Sequence, residues 1–123
     1  MSATELALAM TQAAAEAAAD KLGTDLMAFD VTEQLAITDV FLLATAANDR
    51  QVGAVVDAIE ERLREDFDAR PVRREGDREN RWVLLDYLDL VVHVQHTEER
   101  AFYALERLWR DCPRVELAVE EGR

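Results

Sequence analysis

Residues 81–109, RWVLLDYLDLVVHVQHTEERAFYALERLW, constrain the fold more than any other stretch of the chain. Arg81 to Asp86 and Leu90 to Val94 are two apolar, β-favouring runs. The segment Asp86-Tyr87-Leu88-Asp89 between them reads as a turn, because aspartate carboxylates bond nearby backbone amides there. Strands joined this closely pair antiparallel. Thr97 is placed to cap a following helix that carries Phe102, Leu105 and Trp109 on one face and ends at Cys112 and Pro113. Glu98 and Glu99 open that helix, where its dipole favours negative charge by about 0.3–1 kcal/mol at an exposed site. The block holds large apolar side chains and acids but no evident nucleophile, phosphate loop or metal cage, so it suits being held against something better than it suits catalysis.

Upstream, Ser2 and Glu5 have capping-box spacing. Leu6, Met10, Ala13, Ala14 and Ala17 then recur helically, which predicts a helix over Ala3–Leu22 stopped by Gly23 in a left-handed conformation. Asp25–Val31 reads as a strand, and Val40–Ala46 (VFLLATA) as a strand buried on both faces. Asn48 and Gln51 repeat the capping spacing before Val52, Val55, Val56, Ile59 and Leu63, the clearest amphipathic helix of the chain. Pro71–Glu75 is a candidate short strand and Gly76–Asn80 a polar loop, with fraying expected beyond Glu116. The order α-β-β-α-β-β-β-α predicts an α/β (α+β) fold: a mixed five-stranded sheet flanked by helices, its second and third strands candidates for a parallel pair across the helix between them. At 123 residues this makes one domain, core residues 3–115, with tail 116–123.

Composition then narrows the partners. Asp and Glu number 26 against 14 basic residues, a net charge of −12, which repels nucleic-acid phosphate and anionic membrane and attracts basic proteins. The same charge also serves solubility. All the basic residues except Lys21 are arginines, and together with the many alanines this reflects a GC-rich genome rather than a mechanism. Cys112 is the one cysteine, so no internal disulfide forms. No run approaches the ~20 apolar residues that span a bilayer, and the N-terminus does not resemble a signal peptide. The expectation is a soluble cytoplasmic protein with no membrane and no direct nucleic-acid requirement.

The chemistry-bearing residues each have a plain structural reading. His93 and His96 lie three apart on a strand, hence on opposite faces unless the strand ends between them. A histidine inside VVHV is a hydrogen-bonded core residue more often than a ligand. Asp86 and Asp89 suit a turn, and nothing nearby completes a paired-carboxylate catalyst. Asp49–Val52 lacks the glycines of a phosphate loop. Arg73, Arg74, Arg78 and Arg81 alternate with Glu75, Asp77 and Glu79, a mixed-charge loop rather than a nucleic-acid patch. Cys112 lacks an electropositive setting and reads as unreactive. Trp82 and Tyr87 flank Asp86 beside the turn, and aromatic anchors mixed with acids suit a basic partner. No catalytic residue, metal or cofactor is assigned.

Two segments, DVTEQLAITDVFLLATAANDRQV (Asp30–Val52) and REGDRENRWVLLDYLDLVVHVQHTEERAFYALERLW (Arg74–Trp109), resemble the ribosomal silencing factor family, RsfS or iojap-like proteins. DV, ITD, RQV, EG, WVLLDY, VVHV, FY and LERLW agree in order and spacing over about three-quarters of the chain. The resemblance implies a nucleotidyltransferase-like shape without catalytic residues, and docking on large-subunit ribosomal protein fourteen, a basic protein of the intersubunit face. The resemblance further implies that docking there would block joining of the small subunit and repress translation when nutrients are short, and that homodimers form off the ribosome. Carried over by position, the partner-binding residues are Trp82, Val83, Asp86, Tyr87 and Asp89, with Glu99 nearby. Two positions depart from the family pattern: Ala46 or Ala47 and Leu88 stand where glycine is usual. The competing readings are a metal- or nucleotide-dependent enzyme of nucleotidyltransferase type built on Asp86, Asp89 and His93, and a dimeric adaptor for another basic protein.

Overall fold

The structure is a computed structural model and describes residues 2–76 and 79–120. Its elements run α1 (Glu5–Asp20), β1 (Thr24–Asp30), β2 (Val40–Ala46), α2 (Asp49–Phe67), β3 (Arg73–Gly76), β4 (Trp82–Asp86), β5 (Leu90–His96), α3 (Thr97–Tyr103), α4 (Leu105–Leu108) and β6 (Arg114–Val115). The six strands form one mixed sheet in the order β3-β4-β5-β2-β1-β6. The expected mixed α/β architecture is present, with one strand more than expected: β6, two residues pairing antiparallel with Ala28 and Phe29. Of the expected loop Gly76–Asn80, Asp77 and Arg78 lie outside the described residues.

The parallel pair is β2 with β5, in register from Val40↔Leu90 to Ala46↔His96, and not β2 with β3 as expected from the crossover. Burial explains the choice. The central place beside β2 needs a strand that is apolar on both faces, and six of the seven residues of β5 are buried. All four residues of β3, Arg-Arg-Glu-Gly, are exposed, so it takes the edge, paired with β4. Charged residues on an edge also discourage pairing with foreign strands.

Strand alternation sends Val83, Leu85, Leu90, Val92, Val94, Leu42 and Ala44 to one side, where α1 and α2 cover them in the larger core. The small side chains of α1, among them Ala14, Ala15 and Ala18, are fully buried and let the helix approach closely. In α2 the predicted stripe Val52, Val55, Val56, Ile59 and Leu63 is fully buried, and Asn48 caps the helix by accepting from the Gln51 N–H at 2.9 Å, as the spacing indicated. The other side carries a smaller cluster, Phe29, Val31, Leu43 and Cys112, with Leu105 and Trp109 packed on it. There α3 lies over β5 and β2.

Several local expectations are corrected. Thr4, not Ser2, caps α1: its Oγ1 accepts from the Ala7 N–H at 3.1 Å, while Thr4 N–H donates to Asp39. The left-handed residue after α1 is Leu22 (φ 66°) rather than Gly23. Gly23 is needed for space, since a Cβ there would sit 2.8 Å from the Ala18 carbonyl oxygen. The helix after β5 is capped by His96, whose Nδ1 accepts from Glu98 N–H, while the Thr97 hydroxyl donates to the Ala46 carbonyl. That helix does not run to Cys112. It breaks at Ala104, left-handed at φ 46°, so Phe102 stands 80% exposed while Leu105 and Trp109 turn down onto the sheet. Residues 116–120, expected to fray, lie against α1: Leu117 and Val119 pack on the larger core, and Gln12 bonds both the N–H and the carbonyl of Ala118.

Candidate docking surface

The two faces of the sheet are finished differently. Two long helices cover the first, whereas α3, α4 and their flanks cover only part of the second. On β4 the consequence is direct, because successive side chains point to opposite faces. Trp82, Leu84 and Asp86 are half-buried on the less covered face; Val83 and Leu85 are buried in the larger core.

Trp82 sits at the edge of α3. Its indole Nε1–H donates to His93 Nδ1 at 3.1 Å, and its ring lies 4.7 Å from that of Tyr103. The array continues across the sheet: Phe41 lies 5.4 Å from His93 and 5.0 Å edge-on from Trp109. Edge-on and tilted pairs at these separations are the favourable aromatic geometries. His93 is 7% exposed, and burial pushes its pKa down to about 4, so at neutral pH it is uncharged. Since Nδ1 accepts the Trp82 proton, the proton of the neutral ring is on Nε2. Phe102 meets Tyr103 edge-on at 5.0 Å, and both are exposed.

The acids around this array are mostly engaged. Glu99 takes a fork from Arg81, with Nε at 3.1 Å from both carboxylate oxygens and Nη2 at 2.8 Å, and Glu98 shares the same guanidinium at 3.2 Å. These bonds hold the Arg81 charge even more firmly than usual. Asp86 accepts from the Leu88 N–H at 2.8 Å and lies 3.6 Å from Arg73. Asp89 is exposed, while its carbonyl accepts from the Asp39 and Val40 N–H groups at 3.0 Å, tying the turn to β2. Leu88 is left-handed (φ 72°), a conformation that glycine adopts at little cost. A leucine holds this conformation at the cost of backbone strain.

Of the six expected contact residues, Trp82, Asp86, Asp89 and Glu99 have side chains reachable from outside. Val83 (2% exposed) and Tyr87 (8%) do not. Both lie in the larger core, and the Tyr87 hydroxyl is buried without a hydrogen-bond partner among the described residues, with its pKa raised by burial. Their place as contacts is corrected to one of support behind β4. The constellation Asp86, Asp89 and His93 does not close into a site: the His93 Nδ1 lone pair is taken by Trp82 and that of His96 by the α3 cap. Among the described residues no group of three His, Cys, Asp or Glu is arranged to hold a metal ion. Sequence reasoning missed His93 as the partner of Trp82; the cross-strand diagonal of a hairpin closed at Asp86–Asp89 was the available signal.

The family profile described as "Ribosomal silencing factor during starvation" matches residues 4–123. A ribosomal silencing factor of Bacillus subtilis is 39% identical over 104 residues, covering 85% of this chain and 87% of that protein. The chain belongs to the ribosomal silencing factor family. A crystal structure from Chromobacterium violaceum superposes with a TM-score of 0.78 at 30% identity, covering 94% of both chains, and one from Bacillus halodurans with 0.76 at 36%, covering 89% of this chain and 98% of that one. The chloroplast protein Iojap of maize is 29% identical over 109 residues, covering 89% of this chain and 47% of its own length. For this ribosomal silencing factor family member, among the described residues no helix is long and apolar enough to cross a membrane.

Proposed function

We propose that this protein silences translation by steric exclusion: its less covered sheet face docks on large-subunit ribosomal protein fourteen and keeps the small subunit from joining. The observation that carries the reading is Trp82, a large aromatic side chain held in place by His93 and Tyr103, with the 80%-exposed Phe102 edge-on to Tyr103. A pre-set aromatic anchor is the kind of residue that dominates interface energetics. The net charge of −12 supplies attraction to a basic protein surface, and Asp86, Asp89 and Glu99 place acids at the rim of the anchor. The relatives' shared description as ribosomal silencing factors supports the ribosome as the target and nutrient limitation as the occasion. The action needs no cofactor and no reaction step, and its place is the cytoplasm.

The reading is tested by mixing separated subunits after preincubating the large one with the protein and resolving them on a sucrose gradient. Wild-type protein should hold the subunits apart, and Trp82→Ala should let them join. Full joining in the presence of saturating wild-type protein would refute it. The competing occupant of the face is a second copy of the chain, which would appear as a concentration-dependent dimer lost with the same substitution.

A further inference from the structure

We propose that His93 is the positioning residue of the docking surface, holding the Trp82 indole in its binding orientation through the Nε1–H to Nδ1 hydrogen bond. This inference rests on reading the less covered face as the dock, and it adds the residue that makes the anchor rigid. The bond spans two strands, Trp82 on β4 and His93 on the central β5, at 3.1 Å. Trp82 is only half-buried, so packing alone leaves it alternatives. Two rings lie tilted beside it, Tyr103 at 4.7 Å and His93 at 6.0 Å, and Tyr103 is itself 49% exposed on a short helix. His93, by contrast, is anchored: it is 7% exposed, pairs with Leu84 across the hairpin and Leu43 on the other side, and meets Phe41 at 5.4 Å. The immobile member of the pair is therefore the histidine. An anchor fixed before binding spares the ordering cost that a free side chain incurs on docking.

The test replaces the acceptor without touching the contact surface. Asparagine presents an oxygen close to where histidine presents Nδ1, so His93→Asn should keep the bond. His93→Gln carries the same amide one bond further out, and His93→Leu has no acceptor at all. The first readout is the Trp82 indole N–H resonance, assigned with Trp109→Phe, and its exchange with water; the second is affinity for isolated large ribosomal subunits. In wild type and His93→Asn the indole proton should be slow to exchange and affinity alike. In His93→Gln and His93→Leu the proton should exchange freely and affinity fall by about tenfold, the upper range for one lost neutral hydrogen bond, with thermal unfolding still cooperative. Should His93→Leu not fold, the Asn–Gln pair makes the same comparison. Retained affinity in His93→Gln while Trp82→Ala loses binding would overturn the positioning role and leave the dock intact. Absence of binding by the wild type would overturn the dock, and the proposal with it.

Discussion

The burial of His93 has a measurable consequence for acid stability. In the unfolded chain this imidazole takes a proton as pH falls through its ordinary value of 6.5, whereas the folded protein resists until about 4 because burial penalises the charged ring. The unfolded state thus binds more protons in this window, and stability falls as pH falls. The contribution is fully present above about pH 7, declines between 6.5 and 4, and is completely lost below that. A span from 6.5 to about 4 corresponds to about 3 kcal/mol. The comparison is between wild type and His93→Asn, which share every other titratable group. Urea unfolding followed by tryptophan fluorescence at pH 7.5, 6, 5 and 4, values spaced about one apart to bracket the window, gives the stability difference directly. The wild type should lose about 3 kcal/mol relative to His93→Asn across the series. Parallel pH profiles, or a wild type that gains on the variant in acid, would refute a buried neutral histidine at this place.

Two substitutions test the turn and the core behind it. Leu88→Gly removes a left-handed leucine that is 52% exposed and so buries little; it should raise stability by about 1 kcal/mol and Tm by a few degrees. Tyr87→Phe deletes a buried hydroxyl with no partner among the described residues. It should leave stability equal or up to about 1 kcal/mol higher and ribosome affinity unchanged, whereas Tyr87→Ala should lose about 3–5 kcal/mol in calorimetry.

The elements written in strong periodicity were legible from the chain: the α2 stripe with its Asn48 cap, the two apolar strands β2 and β5, and the hairpin turn at Asp86–Asp89. The pairing of β2 with β5 was not, because periodicity fixes a strand's faces and not its neighbours; only the contrast in burial between β3 and β5 decides that. The break at Ala104 carries no glycine or proline to announce it, and the two-residue β6 is too short to show a pattern. The face error at the site had a readable remedy. Trp82 and Val83 are consecutive on a strand and cannot both face a partner, so assigning Trp82 to the surface already sent Val83 to the core. Tyr87 lies past the end of β4 in the turn, where that alternation no longer applies, and its burial follows from the tertiary arrangement alone.

The most direct test of the docking reading is equilibrium binding to purified large ribosomal subunits by co-sedimentation, at low and at moderate salt, with wild type beside Trp82→Ala. Wild-type binding should weaken as salt rises, since the proposed dock sets acids of this chain, of net charge −12, against a basic surface. Trp82→Ala should bind at least about thirtyfold more weakly at both salts, as expected for loss of an aromatic hot spot, while its circular dichroism matches wild type. Binding by Trp82→Ala indistinguishable from wild type would contradict a dock centred on this face.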